Sequence, residues 1–301
     1  MTKLVFLGTA GQLPTKERNV QSLYLEYEGE GILLDCGEGT QRQLSFAGIS
    51  AQKITKILIS HWHGDHSIGL IGLLQTIDSF ANEGKTLRIY GPPGSKVFVD
   101  HMLKSTVFTP QLDIQVHEIA GVGVETFYAC EDYYLQARLL DHNTPCLGYK
   151  FVRKARRHIH AEKLPKGLSG PRIGKLQQGE AIEFNGEMIK PEAVSTMTPE
   201  QGISFIFDTK KSASCVDIAK GSRVLVSEAT FLHDLVDKAE EWHHLTARQA
   251  AEIAKEAGVE ELILTHFSQR YRDTKDHAKE AQEVFASTRC AEDFLEVVLP
   301  F

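Results

Sequence analysis

The chain of 301 residues is poor in cysteine, and its five are odd in number and widely spaced, with no C-x-x-C among Cys36, Cys130, Cys146, Cys215 and Cys290. That argues against a disulfide framework, makes each cysteine a small buried hydrophobe, and points to a reducing, cytoplasmic setting. No apolar run approaches the about 18 residues of a membrane span. The amino-terminal Met-Thr-Lys-Leu-Val-Phe-Leu-Gly lacks the length of an export signal and reads as a short strand ending at Gly8. Excess positive charge is absent too: 33 Lys+Arg against 40 Asp+Glu give −7. That balance argues against a surface that coats nucleic acid all over and leaves room for a local basic patch. Low-complexity segments and short internal repeats are lacking. With 42% apolar and 24% charged residues, disorder is excluded and a large core is available.

Short β-branched or Leu-rich runs alternate with helical patterns over most of the chain. Strands are expected at 3–7, 32–35, 56–60, 87–90, 134–140, 203–207, 224–227 and 262–265. Helices are expected at 67–80, 246–257 and 276–286. The second opens with the capping-box pattern Thr246-Ala-Arg-Gln249 and stops at Gly258, a natural residue in left-handed backbone. Such alternation indicates α/β layers. One stretch stands apart. Residues 153–175 hold eight cations (Arg153, Lys154, Arg156, Arg157, Lys163, Lys166, Arg172, Lys175) against one acid, Glu162, with His158 and His160 besides. Its Pro165, Gly167, Gly170 and Pro171 break regular structure. A solvated loop would account for an ordinary charge run, but +7 in 23 residues keeps an anion-binding role open.

The sharpest signal is Ser60-His61-Trp62-His63-Gly64-Asp65-His66, directly after an expected strand. Imidazole nitrogens and carboxylate oxygens are ligands for zinc and similar divalent metals. On an extended strand end His61 and His63 point the same way. Asp65 and His66 lie beyond Gly64, where the chain can turn and serve a second ion. Other apolar runs also end in ligand-type residues: Asp141-His142, Asp208 and His266. Ligands of α/β proteins gather at one sheet edge, so these are expected to share the site. Asp35, closing Ile32-Leu-Leu-Asp35, could accept the free N–H of a metal-bound imidazole and fix its tautomer.

These residues, in this order, resemble the metallo-β-lactamase superfamily, which implies a four-layer αββα sandwich with a dinuclear site on one edge. The likeness extends further. Phe6-Leu-Gly-Thr-Ala10, Pro14-Thr-Lys-Glu-Arg-Asn19, Leu34-Asp-Cys-Gly-Glu-Gly-Thr-Gln-Arg-Gln43 and Tyr90-Gly-Pro-Pro-Gly94 are similar to the short-form tRNase Z family. So are Ser227-Glu-Ala-Thr-Phe231, His244-Leu-Thr246 and Leu264-Thr-His-Phe-Ser268, and the resemblance covers essentially the whole chain. It implies that His61, His63 and His142 bind one zinc, that Asp65, His66 and His266 bind a second, and that Asp208 bridges them. Manganese or iron would suit the same ligands. It further implies that Asp65 accepts a proton from the attacking water, and that His244, oriented by Glu228, serves the departing oxygen. Here Ser227 and Leu245 stand where the family has His and Ser.

The resemblance makes 1–301 one domain carrying an inserted basic flexible arm at 152–178, which would grip precursor tRNA away from the cut. Lys16 and Arg18, in the Pro14–Asn19 loop, would sense the 3′ end. The implied reaction removes the 3′ trailer from precursor tRNA, and family members are homodimers; neither a membrane nor DNA is expected as a partner. Two rivals remain at this level: a small-molecule hydrolase of the same fold (phosphodiesterase, thioesterase or lactonase) and an inactive RNA-binding module. The arm speaks against the first and the seven assembled ligands against the second.

Overall fold

The computed structural model describes residues 2–82 and 84–299. Its long apolar strands are buried on both faces, so that alternate side chains feed two different cores. In the strand Thr2–Gly8, Leu4 and Phe6 face one core while Val5 and Leu7 face another. In Ser222–Glu228, Val224 and Val226 share the core of Leu4 and Phe6, whereas Leu225 packs outward.

Two seven-stranded sheets result among the described residues. The first runs, in spatial order, Glu296–Leu299, Thr2–Gly8, Ser22–Tyr27, Glu30–Leu34, Ile54–Leu58, Thr86–Gly91 and Asp113–Glu118. The second runs Thr288–Cys290, Glu261–Thr265, Ser222–Glu228, Gln201–Ile206, Cys146–Arg153, Tyr133–Leu140 and Glu125–Ala129. Tyr149, Phe151 and Phe205 of the second sheet meet Leu4, Phe6 and Leu25 of the first between the sheets. Helices cover both outer faces: Leu70–Ser79 and Ser95–Lys104 on the first, Ala213–Ala219, Ala247–Ala257 and Lys275–Gln282 on the second. This is the αββα sandwich that the resemblance implies. Among the described residues no helix is long and apolar enough to cross a membrane.

Thr246 and Gln249 form the reciprocal capping box, and Gly258 closes that helix at φ 70°. The expected helix 67–80 is instead two pieces, Gly64–Ser67 and Leu70–Ser79. Backbones touch at the break: Gly69 N–H donates to the Cys36 carbonyl (3.0 Å), and a Cβ on Gly69 would meet the Gly37 carbonyl at 2.1 Å. The expected helix 276–286 stops at Gln282. The strand Cys146–Arg153 went unread because Gly148, Lys150 and Arg153 interrupt its apolar run. Both cations are nonetheless buried, Lys150 Nζ donating to the Lys220 carbonyl (2.7 Å) and Arg153 Nη2 to that of Pro199 (2.8 Å).

Between Cys146–Arg153 and Gln201–Ile206 the chain makes an excursion over residues 154–200. Arg156–Ile159 pairs with Ser195–Thr198, and Ile182–Phe184 with Glu187–Ile189. Leu168, Leu176, Ile182, Ile189 and Val194 give the excursion a small core of its own. Val152 and Arg153 belong to the body's strand, and the excursion extends beyond residue 178 to residue 200.

Candidate metal centre

Strand ends from both sheets meet at one edge, and the ligand-type residues stand there. Beyond Ile54–Leu58 the chain bends at Ser60, His63 has extended backbone, and the short helix Gly64–Ser67 carries Asp65 and His66. From the second sheet, His142 follows Tyr133–Leu140, Asp208 follows Gln201–Ile206 and His266 follows Glu261–Thr265. Two groups form, His61/His63/His142/Asp208 and Asp65/His66/His266, and a third, Asp208/His244/His266, overlaps both.

Asp208 stands between the first two. Its Oδ2 lies 3.6 Å from His61 Nε2 and 4.0 Å from His142 Nε2, and its Oδ1 lies 3.4 Å from His66 Nε2 and 3.3 Å from His266 Nε2. Asp65 Oδ2 completes the second group at 3.4 Å from His66 Nε2 and 3.5 Å from His266 Nε2, and those two nitrogens are 3.1 Å apart. Donors held tetrahedrally at about 2.0–2.1 Å from one ion are themselves roughly 3.4 Å apart. The second group has that spacing. In the first, His61 Nε2 and His63 Nδ1 are 2.9 Å apart and His63 Nδ1 and His142 Nε2 are 3.4 Å apart. Asp208 Oδ1 is buried without a hydrogen-bond partner among the described residues, an orphan that a cation would satisfy. The residues therefore fit divalent ions.

The remaining ring nitrogens of His61, His66, His142 and His266 have partners that set the orientation of the rings. His66 Nδ1 lies 2.7 Å from Asp35 Oδ2, which also accepts from Ser60 Oγ (2.7 Å), while Asp35 Oδ1 accepts from Ser60 N–H (2.7 Å). His61 Nδ1 meets Ser60 Oγ (3.0 Å), His142 Nδ1 the carbonyl of His243 (3.0 Å), and His266 Nδ1 the hydroxyl of Thr230 (2.9 Å). Asp65 Oδ2 accepts from the main-chain N–H of Gln12 (2.7 Å). Gln12, Asp35, His243 and His266 all have φ between 56° and 64°. Non-glycine residues rarely adopt that conformation, and they concentrate where function demands it. Ser60, Thr230, Gln12 and the His243 carbonyl were missed by sequence reasoning, because hydroxyls and main-chain groups carry no spacing signature.

Burial, with His66 next to it, holds the His61 imidazole well below its ordinary value. For His66 burial acts the same way, yet Asp208, Asp65 and Asp35 overcome it and raise the group well above its ordinary value. Asp208 and Asp65 stay well below the usual carboxylate range, the neighbouring imidazoles outweighing burial. The edge is thus a set of charged carboxylates among imidazoles.

Glu228 ends its strand beside this cluster. Its Oε1 accepts from Thr209 N–H (2.8 Å), its Oε2 from Thr230 Oγ1 (2.5 Å), and both lie within 3.2 Å of His244 Nδ1. Burial opposes a charged His244, but Glu228 and Asp208 lift it to about 9. With Nδ1 held, Nε2 is the nitrogen left for another partner. Ser227 Oγ donates to the Glu228 carbonyl and Leu245 is buried, so neither takes part in this pairing. His63, Asp65, His142, Asp208, His244 and His266 line an open cavity of about 740 Å³, together with Gln12, Phe231, Glu241, Trp242, Gln269 and Arg270.

The ten cations expected to meet substrate divide sharply. Arg18 is buried, donating through Nη2 to the carbonyls of Tyr271 (2.5 Å) and Ser268 (3.5 Å), so it ties its loop to the loop after His266 instead of presenting charge. Arg153 is likewise buried on carbonyls. Both corrections share one cause: each guanidinium is buried against main-chain carbonyls that accept its hydrogen bonds. Lys154 donates to the Cys130 carbonyl (2.6 Å), and Arg157 to Ser195 Oγ (2.8 Å). Lys16, Arg156, Lys163, Lys166, Arg172 and Lys175 are exposed.

A family model described as Anti-Pycsar protein Apyc1 matches residues 2–169. Curated proteins named ribonuclease Z match from end to end. That of Methanothermobacter thermautotrophicus is 40% identical, covering 99% of this chain and 96% of its own. That of Nocardia farcinica is 38% identical, covering 99% and 98%. Among solved structures, human tRNase Z, short form, superposes with a TM-score of 0.74 at 27% identity, covering 99% of this chain and all of its own.

Proposed function

This chain belongs to the ribonuclease Z family and is a metal-dependent endoribonuclease of that type, and we propose that it removes the 3′ trailer from precursor tRNA by cutting after the discriminator nucleotide. The tRNA would keep a 3′-hydroxyl and the trailer a 5′-phosphate. The observation that carries this reading is the whole-chain match. It takes in the full excursion together with Asp208, His244 and His266, whereas the match over residues 2–169 ends before all three.

Two divalent cations, zinc by the donor chemistry with manganese or iron as alternatives, fit the site. His61, His63 and His142 would hold one, Asp65, His66 and His266 the other, and Asp208 both. Bound there, they would supply Lewis acidity at the phosphate and a water acidified toward neutral pH. Asp65, steadied by the Gln12 amide, faces the cavity and accepts the proton of the attacking water. His244, held at Nδ1 by Glu228, gives a proton to the departing 3′ oxygen. Lys16 and the cations of the excursion (Lys154, Arg156, Arg157, Lys163, Lys166, Arg172 and Lys175) contact phosphates and position the RNA without reading its sequence. The reading extends to a homodimer working in the cytoplasm.

Incubation with a 3′-extended precursor tRNA, with and without chelator, tests the reading. Cleavage that the chelator abolishes is expected, and His244→Ala should lower it by about 10²–10⁴-fold while sparing an ester whose leaving group needs no proton. Intact precursor in the presence of bound metal, with turnover of a thioester or lactone, would overturn it in favour of the small-molecule rival.

A further inference from the structure

The chain has two tryptophans, and the fold treats them differently. Trp62 is half-buried, stacks on Phe98 at 5.2 Å, and donates its indole N–H to Ser95 Oγ (2.9 Å). Trp242 stands 43% exposed on the rim of the metal-centre cavity, its indole N–H without a partner among the described residues. An indole left in water forgoes the burial that normally justifies so large a ring. This one is nonetheless held in place. It follows the helix Val236–Glu241, meets Phe231 edge-on at 6.3 Å, and has Lys238 Nζ 4.4 Å from its ring. Phe231 in turn touches the His244 ring (6.0 Å) and lies under the Arg270 guanidinium (4.8 Å). Arg270 is exposed, and its Nε donates to Ser268 Oγ (3.0 Å). Beside His244 the cavity is therefore lined by an exposed indole, with Lys238 over its ring, one exposed cation, Arg270, and one exposed acid, Glu241. Unpaired nucleobases are bound by that combination, the ring stacking on an aromatic face and the phosphate meeting a cation.

We infer that Trp242 is the stacking platform for the base of the unpaired nucleotide on the 5′ side of the cut, with Arg270 meeting an adjoining phosphate. The side follows from His244, two residues away and joined to Trp242 through Phe231. The oxygen that leaves belongs to the 5′ nucleotide, so the base next to the proton donor is that nucleotide's own. This inference rests on the function proposed above, and it adds a subsite that the metal ligands do not explain.

The test is a two-by-two cycle in which metal-loaded wild-type protein and Trp242→Ala cleave precursor tRNA with a normal or an abasic nucleotide 5′ to the cut. Each single change should lower kcat/KM by about 5- to 100-fold, the range of base–aromatic stacking. The double change should cost no more than either alone, because both remove the same contact. Trp242→Phe, which keeps an aromatic face, should restore most of the rate, and bound metal should be equal in all variants. Additive losses, or a Trp242→Ala rate equal to wild type on the normal substrate, would overturn the platform while leaving the proposed function intact. Failure of wild-type protein to cut the normal substrate would overturn both.

Discussion

At the scale of single residues, the ligand set was legible because its spacing reflects strand geometry. His61 and His63 share a face by the two-residue period of an extended chain. His142, Asp208 and His266 each follow a hydrophobic run. What holds these ligands was not legible, because main-chain groups and close approaches leave no mark in residue type. Gly11 is one example. Its two-residue strand with Ala10 pairs against Phe267 and Ser268, and a Cβ there would come within 2.7 Å of the His266 ring. Gly11→Ala should therefore displace that ring and weaken metal binding by about 10–100-fold, the range for disturbing a ligand's support. Metal titration of the purified variant checks this, and an unchanged affinity would contradict the packing argument.

His277 poses a different residue-scale question. It is fully buried, both ring nitrogens lack partners among the described residues, and it packs against Tyr271 (4.6 Å) and Phe267 (5.1 Å). Burial, reinforced by Arg18, pushes its imidazole down to about 4. The unfolded chain takes up the proton near pH 6.5, the folded chain only near 4, so the unfolded state binds more protons across that window. Stability contributed by the neutral ring is present above about pH 6.5 and is lost as pH falls toward 4. Between pH 7 and pH 5 the wild type should lose roughly 2 kcal/mol more than His277→Leu, read from urea unfolding at each pH. Parallel losses would show that the folded ring titrates normally.

At the scale of elements, strand and helix positions followed from apolar periodicity, while boundaries and the half-polar strands did not. Cys146–Arg153 is buried along its whole length, yet Lys150 and Arg153 disguise it, since each buries its stem and satisfies its head on a carbonyl. The excursion was legible only in its first half. Residues 153–175 are strongly cationic, but residues 176–200 carry five glutamates against Lys190, and Glu192 pairs with Arg157 (3.5 Å). The charge run marked where the excursion begins; its return leg, with ordinary composition, carried no signal.

Because the excursion has its own small core, and Arg153 sits opposite Gln201 in an antiparallel pair, residues 155–198 can be replaced by Asn-Gly, which keeps the Lys154 and Pro199 carbonyls that hold the Arg153 guanidinium. The shortened protein should fold, bind metal and hydrolyse a small phosphodiester as the parent does. Its binding to precursor tRNA should weaken, with a shallower dependence on salt as phosphate contacts are lost. Equal loss on both substrates would contradict a substrate-gripping role for the excursion.

At the scale of the whole molecule, two stacked sheets bring strand ends that are far apart in sequence to one edge, and this is why ligands from residues 61 to 266 converge. Topology of that kind cannot be read from periodicity; it entered through resemblance, and the fold bears it out. The overall charge of −7 is likewise an average over unlike parts. An acidic body carries one basic leg of an excursion, so RNA should be engaged there and at the cavity rather than over the surface.

Cleavage of precursor tRNA as proposed falls at one bond and leaves one set of chemical ends. Mapping the ends of the products at nucleotide resolution tests it most directly. A tRNA ending in a 3′-hydroxyl at the discriminator nucleotide and a trailer beginning with a 5′-phosphate are expected. Cuts scattered along the trailer, or a tRNA left with a terminal phosphate, would contradict it.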